Sequence, residues 1–431
     1  MKGPFDDLAR GVKIDLSKKS VCVVDRGWFS EFAVRLARDF GKVYYHNASW
    51  KSAFPPSNFA KVCAGIDNIE FALDAQLLEG KVDLWAFPDI YDGDWQQRLR
   101  EAGMAVFGNG MAEALELDRW AFKERLAKAG LPVPKSARIV GLDKLRAAME
   151  KSDDFWVKRP RFRGDGETFH HEGLWLSEPW LQHQAERLGP FADEAEYIAE
   201  EGIKGQEVGV DWFTVLGEYP SKGSYGYEDK GTSYFGRFVD RGQMPAPLEM
   251  INEGMAPWLR ELGAQGLISF EIRVNDPARP YLIDPCIRAP NPPVGLYMEG
   301  FKNFSEIVWF AGHGIVLDPE MEFEYGAELM LWSEWAMENW SPFKIPDAIR
   351  PWVKLRSVAK KNGLYFNVPL GHKASGVGSV IALGNSLDDC EGLIKERVEQ
   401  LKGYGLDYKL DSFNDVRKFI EEGKAVGITW K

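Results

Sequence analysis

Cysteine is scarce and scattered. The chain has four in 431 residues, Cys22, Cys63, Cys286 and Cys390, with no CxxC or Cys/His spacing, which argues against a disulfide framework or a zinc site. A reducing cytosol fits this usage. No run of about 18 or more apolar residues occurs, and the opening stretch MKGPFDDLARGVKIDLSKK lacks the apolar core of a signal peptide. The expectation is a cytoplasmic protein that does not contact membrane. Basic charge is also short: 53 Lys and Arg stand against 65 Asp and Glu, a net charge of −12. That argues against nucleic acid as a partner and leaves small ligands, with any phosphate held by a local basic cradle. The GxxxxGK[ST] pattern is absent, so no Walker A loop is expected.

What is present is ordinary globular composition, 45% apolar and 27% charged, in a chain too long for one hydrophobic core. Ser20 to Asp25 (SVCVVD) reads as a buried strand, a helical pattern follows through Phe32 and Leu36, and Lys42 to Tyr45 reads as a second strand. Val82 to Phe87 and Ala105 to Phe107 continue the alternation, as in a doubly wound parallel unit. Ligands on such sheets bind at the carboxyl ends of strands, which makes Asp25 a candidate substrate contact. The other such end, Pro88 to Asp94, reads as an Asp/Gly turn.

Further along, a helix is ended by Gly130, Pro132 and Pro134, and a short strand follows at Ala137 to Val140. A strand ending at Lys158 then empties into a loop with Gly164, Gly166 and several cations. Glycines let backbone amides approach phosphate oxygens, and Lys158 supplies a point charge; the same stretch also reads as a solvated basic loop. After a polar helix near Glu178 to Arg187, two strands flank a connector running from Glu200 to Glu207. Its backbone could read a purine base and Glu207 a ribose, or it is a plain hairpin. SKGSYGYEDKGTSYFGR comes next and reads as a polar substrate-facing loop whose Lys222, Lys230 and Arg237 are candidate ligand cations, or merely solvated.

The most informative stretch is LISFEIRVNDPARPYLIDPCIR, Leu267 to Arg288. Two apolar strand runs joined by a Pro/Asn/Asp turn each deliver an acid, Glu271 and Asp284, so the carboxylates should lie side by side. They are hard oxygen ligands suited to Mg²⁺, and Arg288 is a fixed cation suited to phosphate. The competing reading is edge-strand ion pairing with Arg273 and Arg288.

Taken in order, residues 105 to 315 resemble the ATP-grasp superfamily, and the three-part plan is similar to glycinamide ribonucleotide synthetase and biotin carboxylase. Leu117-Asp118-Arg119 with Lys128 to Pro134, Trp156 to Pro160 with Gly164 and Gly166, Glu200 to Ile203, Glu207, and Glu271 with Asp284 to Arg288 carry the resemblance. It implies an α/β and α+β multidomain fold: an N-terminal doubly wound domain over 1–110, an ATP-grasp domain over 111–325 with a lid over about 137–203, and a C-terminal α+β domain over 326–431. It implies ATP and Mg²⁺ as cofactors, with the metal on Glu271 and Asp284. Nucleotide would lie on Arg119, Lys158, Gly164, Gly166, Glu200, Glu201, Ile203 and Glu207, and catalysis would fall to Lys158 and Arg288.

The sequence departs from the family at Arg119, where a lysine is common, and at Cys286, where an asparagine is usual. The loop from Asp25 to Ser30 also lacks the glycine-rich phosphate loop of the synthetase. The resemblance implies a ligase joining a carboxylate to an amine through an acyl-phosphate; a phosphotransferase and a catalytically impaired ATP-binding module are the alternatives. No general base is evident, and His170, His171 and His313 are read as structural. Glu328 to Trp340 (ELMLWSEWAMENW) reads as an aromatic-rich helix in the core or at a subunit contact, and two interacting protomers are compatible with the plan.

Overall fold

The computed structural model describes residues 14–51, 57–161, 168–370 and 375–430. The first sheet is parallel, in the order β3-β2-β1-β4-β5, from β1 Ser20–Asp25, β2 Lys42–Asn47, β3 Ile69–Phe71, β4 Leu84–Ala86 and β5 Val106–Phe107. Residues 21–25 of β1 are all buried, as expected of a strand covered on both faces. Helix Ser30–Leu36 packs on this sheet, and so does helix Phe304–Gly312 from much later in the chain, whose Val308 and Trp309 share a core with Val21 and Phe32.

Helix Arg119–Lys128 leads out of this layer, capped by Asp118, whose carboxylate accepts from the Ala121 amide at 3.0 Å. It precedes a small antiparallel sheet, ordered β6-β9-β7-β8, from β6 Ser136–Val140, β7 Phe155–Lys158, β8 Thr168–His171 and β9 Glu196–Glu201. Helices Leu142–Met149 and Leu174–Leu188 share a separate core with it, built on Leu145, Met149, Leu181 and Tyr197.

The largest sheet has eight strands in the order β14-β13-β10-β11-β12-β15-β20-β17. These are β10 Gln206–Val215, β11 Lys222–Asp229, β12 Ser233–Asp240, β13 Gln265–Val274, β14 Tyr281–Cys286, β15 Tyr325–Trp332, β17 Val353–Leu355 and β20 Gly376–Gly384. Strand β15 pairs with both β12 and β20, so the sheet runs on without a break past residue 325. The remaining strands, β16 Ser341–Lys344, β18 Val358–Lys361, β19 Leu364–Asn367 and β21 Lys402–Gly403, form a fourth sheet.

Two expectations are corrected here. Glu328 to Trp340 is not one helix: Tyr325–Trp332 is a strand and only Trp335–Met337 turns helically, as a single 3₁₀ turn. A short apolar run fits a buried strand as well as a helix, and pairing on both edges decides for the strand. SKGSYGYEDKGTSYFGR is likewise no loop but the β11–β12 hairpin. Its alternation is hidden because both faces are buried, Tyr225, Tyr227 and Phe235 in one core and Tyr234 and Phe238 in another, the latter face also carrying Ser224, Gly226 and Gly236.

Candidate active site

Strands β13 and β14 bring Glu271 opposite Asp284 in register, with a register shift just beyond, between Glu271 and Ile272. The row continues along the sheet through Gly209, Gly226, Gly236 and Gly326. The acids thus stand at one end of a row of glycines, over which the Tyr234 ring lies at Gly226 and Gly236 and Leu296 at Gly326. The hairpin expectation from Leu267 to Arg288 holds in its backbone.

Across from these acids lies the end of β7. Lys158 Nζ donates to Glu200 Oε1 at 2.8 Å, and Lys123 forms an ion pair with the other oxygen of Glu200. All three are buried. Burial favours neutral Glu200, but Lys158 and Lys123 outweigh it and hold the carboxyl below its usual range. Burial also opposes the charge of Lys158, yet Glu200 and Asp284 raise its pKa on balance. Lys123 goes the other way: burial lowers it and Lys158 adds to the drop, against the pull of Glu200.

Lys123 was not among the expected site residues. Its signal was its place four residues after Arg119 on one helix, which puts both on the same face. Arg119 itself reaches the Arg159 carbonyl at 3.0 Å and Asp284 Oδ2 at 3.5 Å. A cleft of about 310 Å³ is lined by Lys158, Glu200, Glu201, Ile203, Glu207, Glu271 and Asp284. Glu201 accepts from the Lys135 amide at 2.8 Å, and Glu207 from Arg273 Nη2 at 2.7 Å. Gly164 and Gly166 lie outside the described residues.

Arg288 is aimed at the first sheet. Its Nε is 3.3 Å from Glu116 and its Nη1 3.4 Å from Asp89 in the loop after β4. Glu116 also accepts from the Ile287 amide at 2.7 Å, and the Ala289 amide donates to the Pro88 carbonyl at 2.8 Å. Burial disfavours the charge of Arg288, but Glu116, Cys286 and Asp89 raise its pKa well above the ordinary value. Neither Asp89 nor Glu116 was expected here, since each is distant from Arg288 in sequence.

The candidate substrate contacts separate. Lys230 reaches the site, with Nζ 2.9 Å from Glu271 and 3.0 Å from Glu207. Lys222 sits at the far end of β11 beside Asp240, and Arg237 points to the opposite face, where it meets Tyr225 and the ring of Tyr325. Asp25 is fully buried and holds its own loop, accepting from the amides of Gly27, Trp28 and Phe29 and from the Tyr45 hydroxyl. His170 stacks on Trp156, while the rings of His171 and His313 are hydrogen-bonded to Ser177 and to the Trp309 carbonyl.

A second cavity of about 350 Å³ shares Glu207, Lys230, Glu271 and Arg273 with the cleft and extends over Gly209, Gly226, Asp211, Glu228 and Tyr234. Asp211 is buried there, accepting from the Tyr234 hydroxyl at 2.9 Å, and burial pushes its carboxyl up to about 7. Burial likewise raises Glu271 to about 7, with Lys230 opposing and Glu207 and Asp284 adding to the rise. Paired carboxylates suit a hard divalent ion. Cys286 lies two residues past Asp284 on the same face of β14, its thiol 3.9 Å from the Arg288 carbonyl.

The parallel layer, the small antiparallel sheet and the large sheet with its acid pair make up an ATP-grasp fold. Among solved structures, the chain is similar to a phosphoribosylamine–glycine ligase from Thermotoga maritima, with TM-score 0.68 and 15% identity over 91% of this chain and 99% of that one. It is also similar to a biotin carboxylase from Campylobacter jejuni (0.66, 15%, covering 94% and 96%) and an L-amino acid ligase from Bacillus licheniformis (0.57, 14%, covering 91% and 99%). In sequence it is 27% identical over 202 residues to a D-alanine–D-alanine ligase of Aromatoleum aromaticum, a match over 45% of this chain and 63% of that relative's length. No family model matches the chain. Among the described residues, no helix is long and apolar enough to cross a membrane.

Proposed function

We propose that this chain is an ATP-dependent ligase that joins a carboxylate to an amine through an acyl-phosphate. The observation that carries the reading is the register pairing of Glu271 with Asp284, facing the Lys158–Glu200–Lys123 cluster across one cleft. Nucleotide phosphates need fixed cations on one side and a metal on the other. Lys158, Lys123 and Arg119 provide the first, and Glu271 with Asp284 would hold Mg²⁺ for the second. Bound there, the ion would neutralise charge on the phosphates.

In the first step a carboxylate oxygen of the substrate attacks the γ-phosphorus, the bond to the leaving ADP oxygen breaks, and an acyl-phosphate results. Lys158 and Lys123 hold the phosphates in line, and Arg288 neutralises the growing negative charge. In the second step the amine nitrogen attacks the acyl carbon and inorganic phosphate leaves. Arg288 stabilises the tetrahedral oxyanion, held in place by Asp89 and Glu116. Ile203 and the connector backbone would receive the base, and Glu207 the ribose.

Phosphoribosylamine, which the Thermotoga enzyme's name gives as its substrate, fits this chain poorly. The loop amides at the end of β1 that could meet a phosphate are already taken by Asp25. A different small carboxylate and amine are therefore proposed. Cys286 favours one alternative, an ATP-binding module with impaired catalysis. ADP release against pools of carboxylates and amines, with mass spectrometry of the product, tests both. Amine-dependent ADP release with a new amide supports the ligase; Mg·ATP binding without turnover across the pools supports the module.

A further inference from the structure

Lys230 lies in the turn between β11 and β12 and makes more ion contacts than the turn requires. The turn is closed without it: Thr232 Oγ1 donates to Asp229 Oδ2 at 2.5 Å and the Gly231 amide to Glu228 Oε1 at 3.2 Å. Lys230 instead reaches over to three carboxylates, Glu271 at 2.9 Å, Glu207 at 3.0 Å and Glu228 at 3.5 Å. It lines both the nucleotide cleft and the adjoining cavity, so it stands where the two meet.

Two further cations already share these carboxylates. Glu207 also holds Arg273, and Asp284 has Arg119 at 3.5 Å. A divalent ion entering alone must take Glu271 from an ammonium already hydrogen-bonded to it, and must leave that ammonium beside Arg273 and Arg119 with no new anion to receive it. Nucleotide reverses this. Triphosphate brings several negative charges into the same cleft, so a metal and the released ammonium both find partners.

We propose that Lys230 is the resident counter-cation of the metal carboxylates and gives up Glu271 to a divalent ion only when nucleotide phosphates arrive, which makes metal binding conditional on nucleotide. The proposal rests on the reading of Glu271 and Asp284 as metal carboxylates, and the experiment separates the two.

Mn²⁺ binding to the full chain is measured by electron paramagnetic resonance, with and without ADP, for wild type, Lys230→Met, Lys230→Gln and Lys230→Arg. Thermal melts identify the variants that fold, and the two neutral substitutions replace each other if one fails. Without nucleotide, wild type and Lys230→Arg should bind Mn²⁺ weakly and gain on adding ADP. The neutral variants should bind it at least about tenfold more tightly than wild type without ADP, the scale of one close charge contact. Adding Glu271→Ala to Lys230→Gln should remove that gain. Neutral variants that bind nucleotide-free Mn²⁺ no more tightly than wild type would overturn the proposal while leaving the metal reading intact. Absence of Mn²⁺ binding by wild type even with ADP would overturn the metal reading and the proposal together.

Discussion

Arg288, at the exit of the acid-bearing hairpin, turns its guanidinium to Asp89 in the loop after the fourth strand of the first sheet, 3.4 Å away. The cation proposed to meet the reacting carboxylate is thus oriented by a different layer of the molecule. Asp89→Asn should lower kcat for ADP release about tenfold or more, on the scale of a lost charge-assisted positioning contact, with nucleotide affinity nearly unchanged. Steady-state kinetics beside ATP titrations check this; an unchanged kcat would remove Asp89 from the positioning role.

Glu271→Ala should reduce substrate-dependent ADP release by about a hundredfold or more, as expected for loss of a preorganised electrostatic contact at a phosphoryl-transfer site. Near-wild-type turnover would sink the metal assignment. The measurement is the rate of ADP formation at saturating Mg·ATP.

Glu200→Gln should leave two buried lysines without their carboxylate and cost about 3–5 kcal/mol at neutral pH, the usual penalty for breaking a buried ion cluster. Glu200 titrates below its ordinary range in the folded protein. Its stabilisation is therefore complete above the unfolded carboxyl value of about 4.3 and is lost as pH falls through the lower folded value. Urea denaturation of wild type and variant should show a gap that is full at neutral pH and narrows only in strong acid.

Gly226→Ala should destabilise the fold by about 1–3 kcal/mol through overpacking. A β-carbon there would run into the Tyr234 hydroxyl and stand 2.6 Å from the Phe235 carbonyl, which cannot move without disturbing the ladder. A fall in the urea midpoint with unchanged slope is the expected result.

Much of this was legible in one dimension. The SVCVVD strand, the helix closed by Gly130 and the prolines, the strand ending at Lys158 and the two acids of the Leu267 to Arg288 hairpin follow from local pattern, and the structure has each of them. Strand parity and turn chemistry suffice for those, because they depend on neighbours within a few residues. The hairpin carrying Lys230 did not announce itself, since both its faces are buried and small or polar residues are mixed with aromatics on each. Without its register, Lys222, Lys230 and Arg237 look equivalent; pairing sends one to the strand's far end, one to the acids and one to the opposite face.

The sequence by itself determined which residue types were available for phosphate and metal, and that Glu271 and Asp284 would be neighbours. Only the tertiary structure decided how they are used. Lys123 joins Lys158 on Glu200, Glu116 and Asp89 converge on Arg288, and Asp25 is turned inward to close its own loop. Each of these links residues brought together from separate elements or fixed by burial. Their energies depend on distance and on exclusion of water, neither of which a linear pattern encodes.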